Sequence, residues 1–175
     1  MDIGLLILRL VLGLILFTHA TQKLAGWFGG NGLSRQGEIF AGLGLRPGRA
    51  MVAAAATAEL MAAVLLTLGL FTPVAALLAA ATMLVAGVTM HLNSGSFWNV
   101  AGGGEYPYVL AACAAVLGFT GAGSLSADAA LAGEVGDWFG MVATPQGWVG
   151  AGVVVIAIVA AIPFALRIRA APRAE

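Results

Sequence analysis

Arg9 and Glu59 demand explanation first, because each lies about two helical turns inside a long apolar run. An ionisable side chain in a membrane helix costs roughly 2.5–3.5 kcal/mol on insertion scales, so it persists where something pairs with it or uses it. The two runs start from opposite faces. At about 1.5 Å per residue their backbones differ in depth by roughly 10 Å, which a long arginine and helix tilt can bridge. A buried Arg9–Glu59 ion pair, or a small network containing it, is therefore expected, with Ala55, Ala62 and Ala63 letting a neighbouring helix approach the Glu59 face. The competing reading has Arg9 snorkelling outward and Glu59 neutral.

A second group gathers at the run ends. His19, Gln22 and Lys23 close the first predicted span, His91 closes the third, and Phe97, Trp98, Asn99 and Glu105 follow it. If these ends share one membrane level, they bring imidazoles, an ammonium, a carboxylate and aromatic walls to the mouth of a helix bundle, a common place for a ligand. A quinone head group suits that set, whether menaquinone or ubiquinone. Its carbonyls need donors such as His, Lys or Gln, and its proton-coupled reduction needs a titratable group such as His91 or Glu105. The same residues would equally serve as an interfacial anchoring belt. Two histidines without a second ligand pair or a typical spacing do not support haem or a metal. No nucleophile has an evident base, so no catalytic residue is assigned. Gly102-Gly103-Gly104 lacks the Lys-Ser/Thr of a phosphate loop and reads as flexible turn material. Cys113, the single cysteine, can form neither an internal disulfide nor a dithiol centre, so any redox role must draw on an external cofactor.

These residues need elements to position them, and composition says which kind. Of 175 residues, 61% are hydrophobic and 9% charged, against roughly 45–50% and about 25% in soluble domains. Eight basic and eight acidic residues cannot cover a globule of this length, so the chain is expected in a membrane. A formal net charge of zero with no basic block gives no footprint for nucleic acid. Apolar runs over 3–21, 51–92, 107–120 and 148–166 predict five spans, because 51–92 is about twice a span and Thr72-Pro73 marks a turn at its middle. The first run is too long for a signal-peptide core and reads as a retained helix.

Basic residues set the expected orientation. Lys23, Arg35, Arg46 and Arg49 follow the first span, and Arg167, Arg169 and Arg173 follow the last. An odd number of spans puts both groups on one side, which the positive-inside rule assigns to the cytoplasm. The N-terminus is then outside and the C-terminus cytoplasmic. The fourth joint, with Asp128, Glu134 and Asp137 and no Lys or Arg, faces outward, and Trp138, Phe139, Met141 and Val142 lie on the membrane surface. In the first joint, Ser34 is expected to cap a short interfacial helix carrying Ile39, Phe40 and Leu43 on one side.

Three segments, RLVLGLILFTHATQKLAGWFGG (Arg9 to Gly30), AELMAAVLLTLGLFTPVAA (Ala58 to Ala76) and GEYPYVL (Gly104 to Leu110), resemble the DoxX family of small bacterial and archaeal membrane proteins. The resemblance spans roughly Leu5 to Asp128. Arg9, His19, Lys23, Glu59, His91 and Glu105 fall on family-pattern positions. Ala20 replaces a usual glycine, and GAGSLSAD (Gly121 to Asp128) departs from the Gly-Pro-Gly, Ser-Leu-Asp ending. The resemblance implies an all-α integral membrane protein of the bacterial plasma (inner) membrane. Its parts would be a four-helix bundle over 1–128, an acidic interfacial outer loop over 129–146, and an additional fifth helix with a basic cytoplasmic tail over 147–175. It further implies a link to quinone-dependent oxidation. The expected function is a membrane subunit of a quinone-linked oxidoreductase complex that supplies a head-group site, with His19, Gln22, Lys23, His91, Trp98 and Glu105 as candidates, and a proton route. Electrons would come from other protein subunits. The alternative is a non-catalytic anchor or scaffold of a larger membrane complex.

Overall fold

The protein is described by a computed structural model covering residues 2–132, 134 and 137–171, with the side chains of 137 and 138 outside that description. Every regular element among the described residues is helical. Helices α1 (Asp2–Ala25), α3 (Gly48–Leu68), α4 (Thr72–Ser94) and α8 (Gly147–Ala170) are each long and apolar enough to cross a membrane. Helix α5 (Glu105–Thr120) has 16 residues, about 24 Å of rise, somewhat short of the roughly 30 Å hydrocarbon core. It lies against α4 and α8. Helix α2 (Gly32–Gly42) joins α1 to α3, while α6 (Ala127–Leu131) and α7 (Asp137–Ala143) join α5 to α8.

The long helices alternate in direction. One end of the bundle, the N-end, holds Asp2, the α3–α4 turn and the α5–α8 connection. The other, the C-end, holds α2, the α4–α5 connection and the end of α8. Helix α4 is central, packing on α3, α5 and α8. Its buried face is Ala75, Ala76, Ala79, Ala80, Met83 and Gly87, and small side chains there let helix backbones approach where lipid offers no hydrophobic drive to association. Gly87 shows how close they come, since a Cβ added to it would lie 2.5 Å from the Tyr108 ring of α5. Val153 and Ala157 of α8 belong to the same core. Large apolar side chains such as Ile3, Leu14 and Val159 face outward, as expected of a surface solvated by lipid.

The expected hairpin is present, with its turn at Gly69, Leu70 and Phe71. Thr72 and Pro73 begin α4, where proline loses no helical hydrogen bond. Ser34 is not a cap. Helix α2 begins two residues earlier, with Asn31 at the cap position and no side-chain cap bond, and Asn31 Nδ2 instead donates to Gln36 Oε1 at 2.8 Å.

One acid of the outward-facing joint is buried. Asp128 is 0% exposed. Its carboxylate accepts from Phe71 N (2.7 Å), Thr72 N (2.9 Å) and Thr72 Oγ1 (2.6 Å), while its own N–H donates to Gly69 O at 2.9 Å. It thus caps the positive N-terminus of α4 from another helix. Arg9, 1% exposed, does the converse. Its guanidinium donates to Leu66 O in the last turn of α3, at 3.4 Å, and to Leu125 O, where a cation complements the helix dipole. Gly69, at φ +63°, leaves room for that guanidinium, since a Cβ there would collide with Arg9 Nη1. The predicted Arg9–Glu59 pair therefore does not form. Phe139 is likewise buried rather than lying on the surface, its ring edge-on to Phe71 at 5.7 Å between centroids. Met141 is exposed and Val142 half-buried. Glu134 is exposed. The Asp137 and Trp138 side chains, and Arg173 of the predicted basic tail, lie outside the described residues.

Candidate functional site

Helix α1 buries a stripe of Arg9, Leu12, Gly13, Leu16 and Ala20, a three- and four-residue spacing that continues to Lys23 in its last turn. Lys23 is thereby aimed at α3. Its Nζ donates to both carboxylate oxygens of Glu59, at 2.7 and 2.6 Å, and approaches His19 O at 3.5 Å. The Lys23 side chain is 17% exposed and that of Glu59 only 3%. Glu59 is thus paired inside the bundle, with Lys23 as its partner.

Depth alone does not separate the two cations. Arg9 is level with Leu66, seven residues from Glu59 along α3, and the corresponding level on α1 lies roughly 10 Å from both Arg9 and Lys23. Side-chain tilt decides. In an α-helix each Cα–Cβ bond leans toward the helix N-terminus. Arg9 accordingly leans toward the N-end, away from Glu59. Lys23 leans toward the N-end as well, while Glu59, on an antiparallel helix, leans toward the C-end, so these two side chains converge.

The pair lines a chamber of about 290 Å³ between α1, α3, α4 and the start of α5, with Phe40 and Leu45 contributed from α2 and the loop after it. His19, Lys23, Glu59 and Tyr106 supply polar groups to it. The His19 and Tyr106 rings are tilted at 59° with centroids 6.4 Å apart. Met83, Met90, Val85 and Pro107 are among its apolar walls. The result is an apolar pocket with a few convergent polar groups, the usual form of a small-molecule site.

The other sequence candidates are elsewhere. Gln22 Nε2 donates to Phe28 O at 3.2 Å and is absent from the chamber lining. His91, Trp98 and Glu105 belong to a separate aromatic cluster at the α4–α5 connection. There Tyr108 stacks on Phe97 at 6.0 Å and meets His91 at 6.4 Å, while Phe97 lies edge-on to Trp98 at 5.2 Å. Glu105 Oε2 accepts from Asn99 N at 3.0 Å, closing the connection. The His91 Nδ1 is buried without a hydrogen-bond partner among the described residues. Gly103 and Gly104 are buried against this segment rather than forming a loose turn. Structure therefore splits the predicted constellation in two, and only His19 and Lys23 of its six members reach the chamber.

Two chamber residues, Glu59 and Tyr106, lie outside the predicted head-group set. Glu59 was assigned to the wrong cation, although the tilt rule applied to antiparallel helices favours Lys23. Tyr106 is not singled out by the sequence. Its role depends on the register of α5 against α1, for which the sequence carries no signal.

Comparison with known proteins agrees with this architecture. The sequence model of the DoxX family matches residues 4–92, which hold α1 to α3 and most of α4. A protein of Bacillus subtilis (strain 168) named "Putative oxidoreductase CatD" is 32% identical over 127 residues, covering 73% of this chain and 86% of that protein. No solved structure matches the chain. With a family match over half its length and four helices fit to cross a membrane, the chain belongs to the DoxX family of membrane proteins.

Proposed function

We propose that this chain is a membrane subunit of a quinone-linked oxidoreductase assembly, in which the chamber takes the quinone or quinol head group. The observation that carries the reading is the convergence of His19, Lys23, Glu59 and Tyr106 on one otherwise apolar cavity. The donor set fits such a head. An ammonium, an imidazole and a phenol can each donate to a carbonyl oxygen, and the apolar walls suit the ring. The oxidoreductase name of the Bacillus subtilis relative points the same way.

When bound, a quinone supplies a two-electron, two-proton acceptor. The residues of this chain hold and orient it and manage protons. Lys23 donates from the edge of the chamber while Glu59 fixes its ammonium through both carboxylate oxygens. His19, one turn before Lys23 on the same helix, is placed to exchange a proton with the chamber, and Tyr106 lines it from the first turn of α5. Electrons arrive from a partner protein. The bilayer orientation proposed remains the one set by the basic joints, with the C-end and its chamber cytoplasmic.

The test is purification in mild detergent with partners attached, followed by extraction and identification of bound quinone. Each hydrogen bond lost from a site of this kind is worth about 1 kcal/mol, roughly five-fold in affinity. His19→Gln and Tyr106→Phe are expected to lower quinone retention several-fold without changing folding, and His91→Gln to leave it unchanged. A parent protein free of quinone, or equal loss in all three variants, overturns the reading in favour of a non-catalytic scaffold.

A further inference from the structure

The polar chamber has an apolar neighbour. A second cavity of about 240 Å³ shares Phe40, Leu45, Ala55, Thr82 and Val85 with it and extends to α8, where Ala160 and Phe164 line it opposite Ala54 and Ala58 of α3. Either cavity alone falls below the roughly 300–1,000 Å³ of ordinary ligand pockets, and a ligand spanning both would occupy a volume within that range. Chemistry divides them sharply. Among the described residues Thr82 is the sole polar side chain lining the second cavity, and its hydroxyl already donates to Leu78 O at 2.8 Å and Ala79 O at 3.1 Å of its own helix. Since a water needs two to four polar partners, the cavity suits hydrocarbon.

The cleft also opens sideways. Helices α3 and α8 both pack on α4 but not closely on each other. Ala54 is exposed, and Ala58, Ala160 and Phe164 are half-buried, so the lining runs out to the lipid-facing surface. Larger side chains at Ala54, Ala58 or Ala160 would fill the gap.

We infer that the head-group site serves a lipid-resident quinone whose isoprenoid tail lies in the second cavity, and that the molecule enters sideways from the bilayer between α3 and α8. This inference rests on the quinone reading above and adds to it. Helix α8, which lies beyond the matched family segment, becomes the wall that holds the tail. The head reaches Lys23 and His19 while the tail passes Ala55 and leaves along Ala58 and Ala160. A filled second cavity therefore excludes a tailed quinone and spares a tail-less one.

The experiment compares menaquinone-4 with menadione, the tail-less head, by calorimetric titration of the full-length protein in mild detergent. Ala160→Phe on α8 and Ala58→Phe on α3 fill the cavity from opposite walls, so a folding defect in one leaves the other as the probe. Each is expected to weaken menaquinone-4 by about ten-fold or more through steric exclusion and to leave menadione within about two-fold. Native mass spectrometry of the parent is expected to show no phospholipid that the filled variants lose. Equal effects on both ligands, no effect on either, or a phospholipid displaced by the substitutions overturns the tail route while the head-group site stands. A parent that binds neither compound overturns the head-group reading and the tail route together.

Discussion

Replacing Lys23 with methionine strands Glu59 where only 3% of its side chain meets solvent. The wild-type pair has two short charge-assisted bonds, at 2.6 and 2.7 Å, each worth about 1.5–3 kcal/mol when a charged group is involved. Coulomb attraction at an effective dielectric near 20 is about 6 kcal/mol at such a distance, and it is largely consumed by desolvating both ions. The net worth of the pair is therefore small, whereas breaking it leaves one uncompensated buried charge at about 3–5 kcal/mol. Lys23→Met and Glu59→Leu should each cost that much, and the double variant clearly less than the sum. Equilibrium unfolding in mixed detergent micelles, followed by circular dichroism, gives the cycle, with an expected coupling of at least about 2 kcal/mol. A parallel cycle of Arg9→Leu with Glu59→Leu should add within about 0.5 kcal/mol, because Arg9 bonds the Leu66 and Leu125 carbonyls instead. Additive Lys23 and Glu59 effects, or strong coupling between Arg9 and Glu59, would refute the tilt argument.

Asp128→Ala removes three accepted hydrogen bonds at the start of α4 and should lower stability by about 2–4 kcal/mol in the same unfolding assay, with Asp128→Asn losing less because its amide oxygen still accepts. Gly69→Ala should cost at least twice as much as Gly95→Ala. Both glycines have positive φ, but a Cβ at 69 meets the Arg9 guanidinium whereas one at 95 meets nothing within 4 Å, leaving only the left-handed penalty of roughly 1–2 kcal/mol. Orientation is checked in a Cys113→Ala background with an impermeant thiol reagent on whole cells. A cysteine at exposed Ser34 should be protected and one at exposed Ala130 should react, and the opposite pattern would reverse the topology.

Composition and run length determined that this chain is a membrane helix bundle. Four apolar runs that predict five spans, a proline at the second residue of α4 and basic residues at run ends are local properties, and they are legible because a bilayer demands about twenty apolar residues per crossing whatever the neighbours do. The cost of burying charge also marked Arg9 and Glu59 from sequence alone, since that cost depends on residue type and depth. Partner choice was another matter. From sequence Lys23 is a head-group donor or an interfacial anchor and Asp128 an acid of the outward-facing joint, yet both are drawn into the bundle by atoms that are remote in sequence. Asp128 stands 56 residues from the Thr72 it caps, and no local pattern encodes that docking. The division of the histidines has the same origin. His19 faces the chamber because α1 packs on α3 along its Lys23 stripe, whereas His91 turns to Tyr108 because Gly87 lets α5 settle against α4. Helices come from the sequence's own periodicity and hydrophobicity, but rotation of one helix against the next is fixed only when both are packed. The site is made of that rotation.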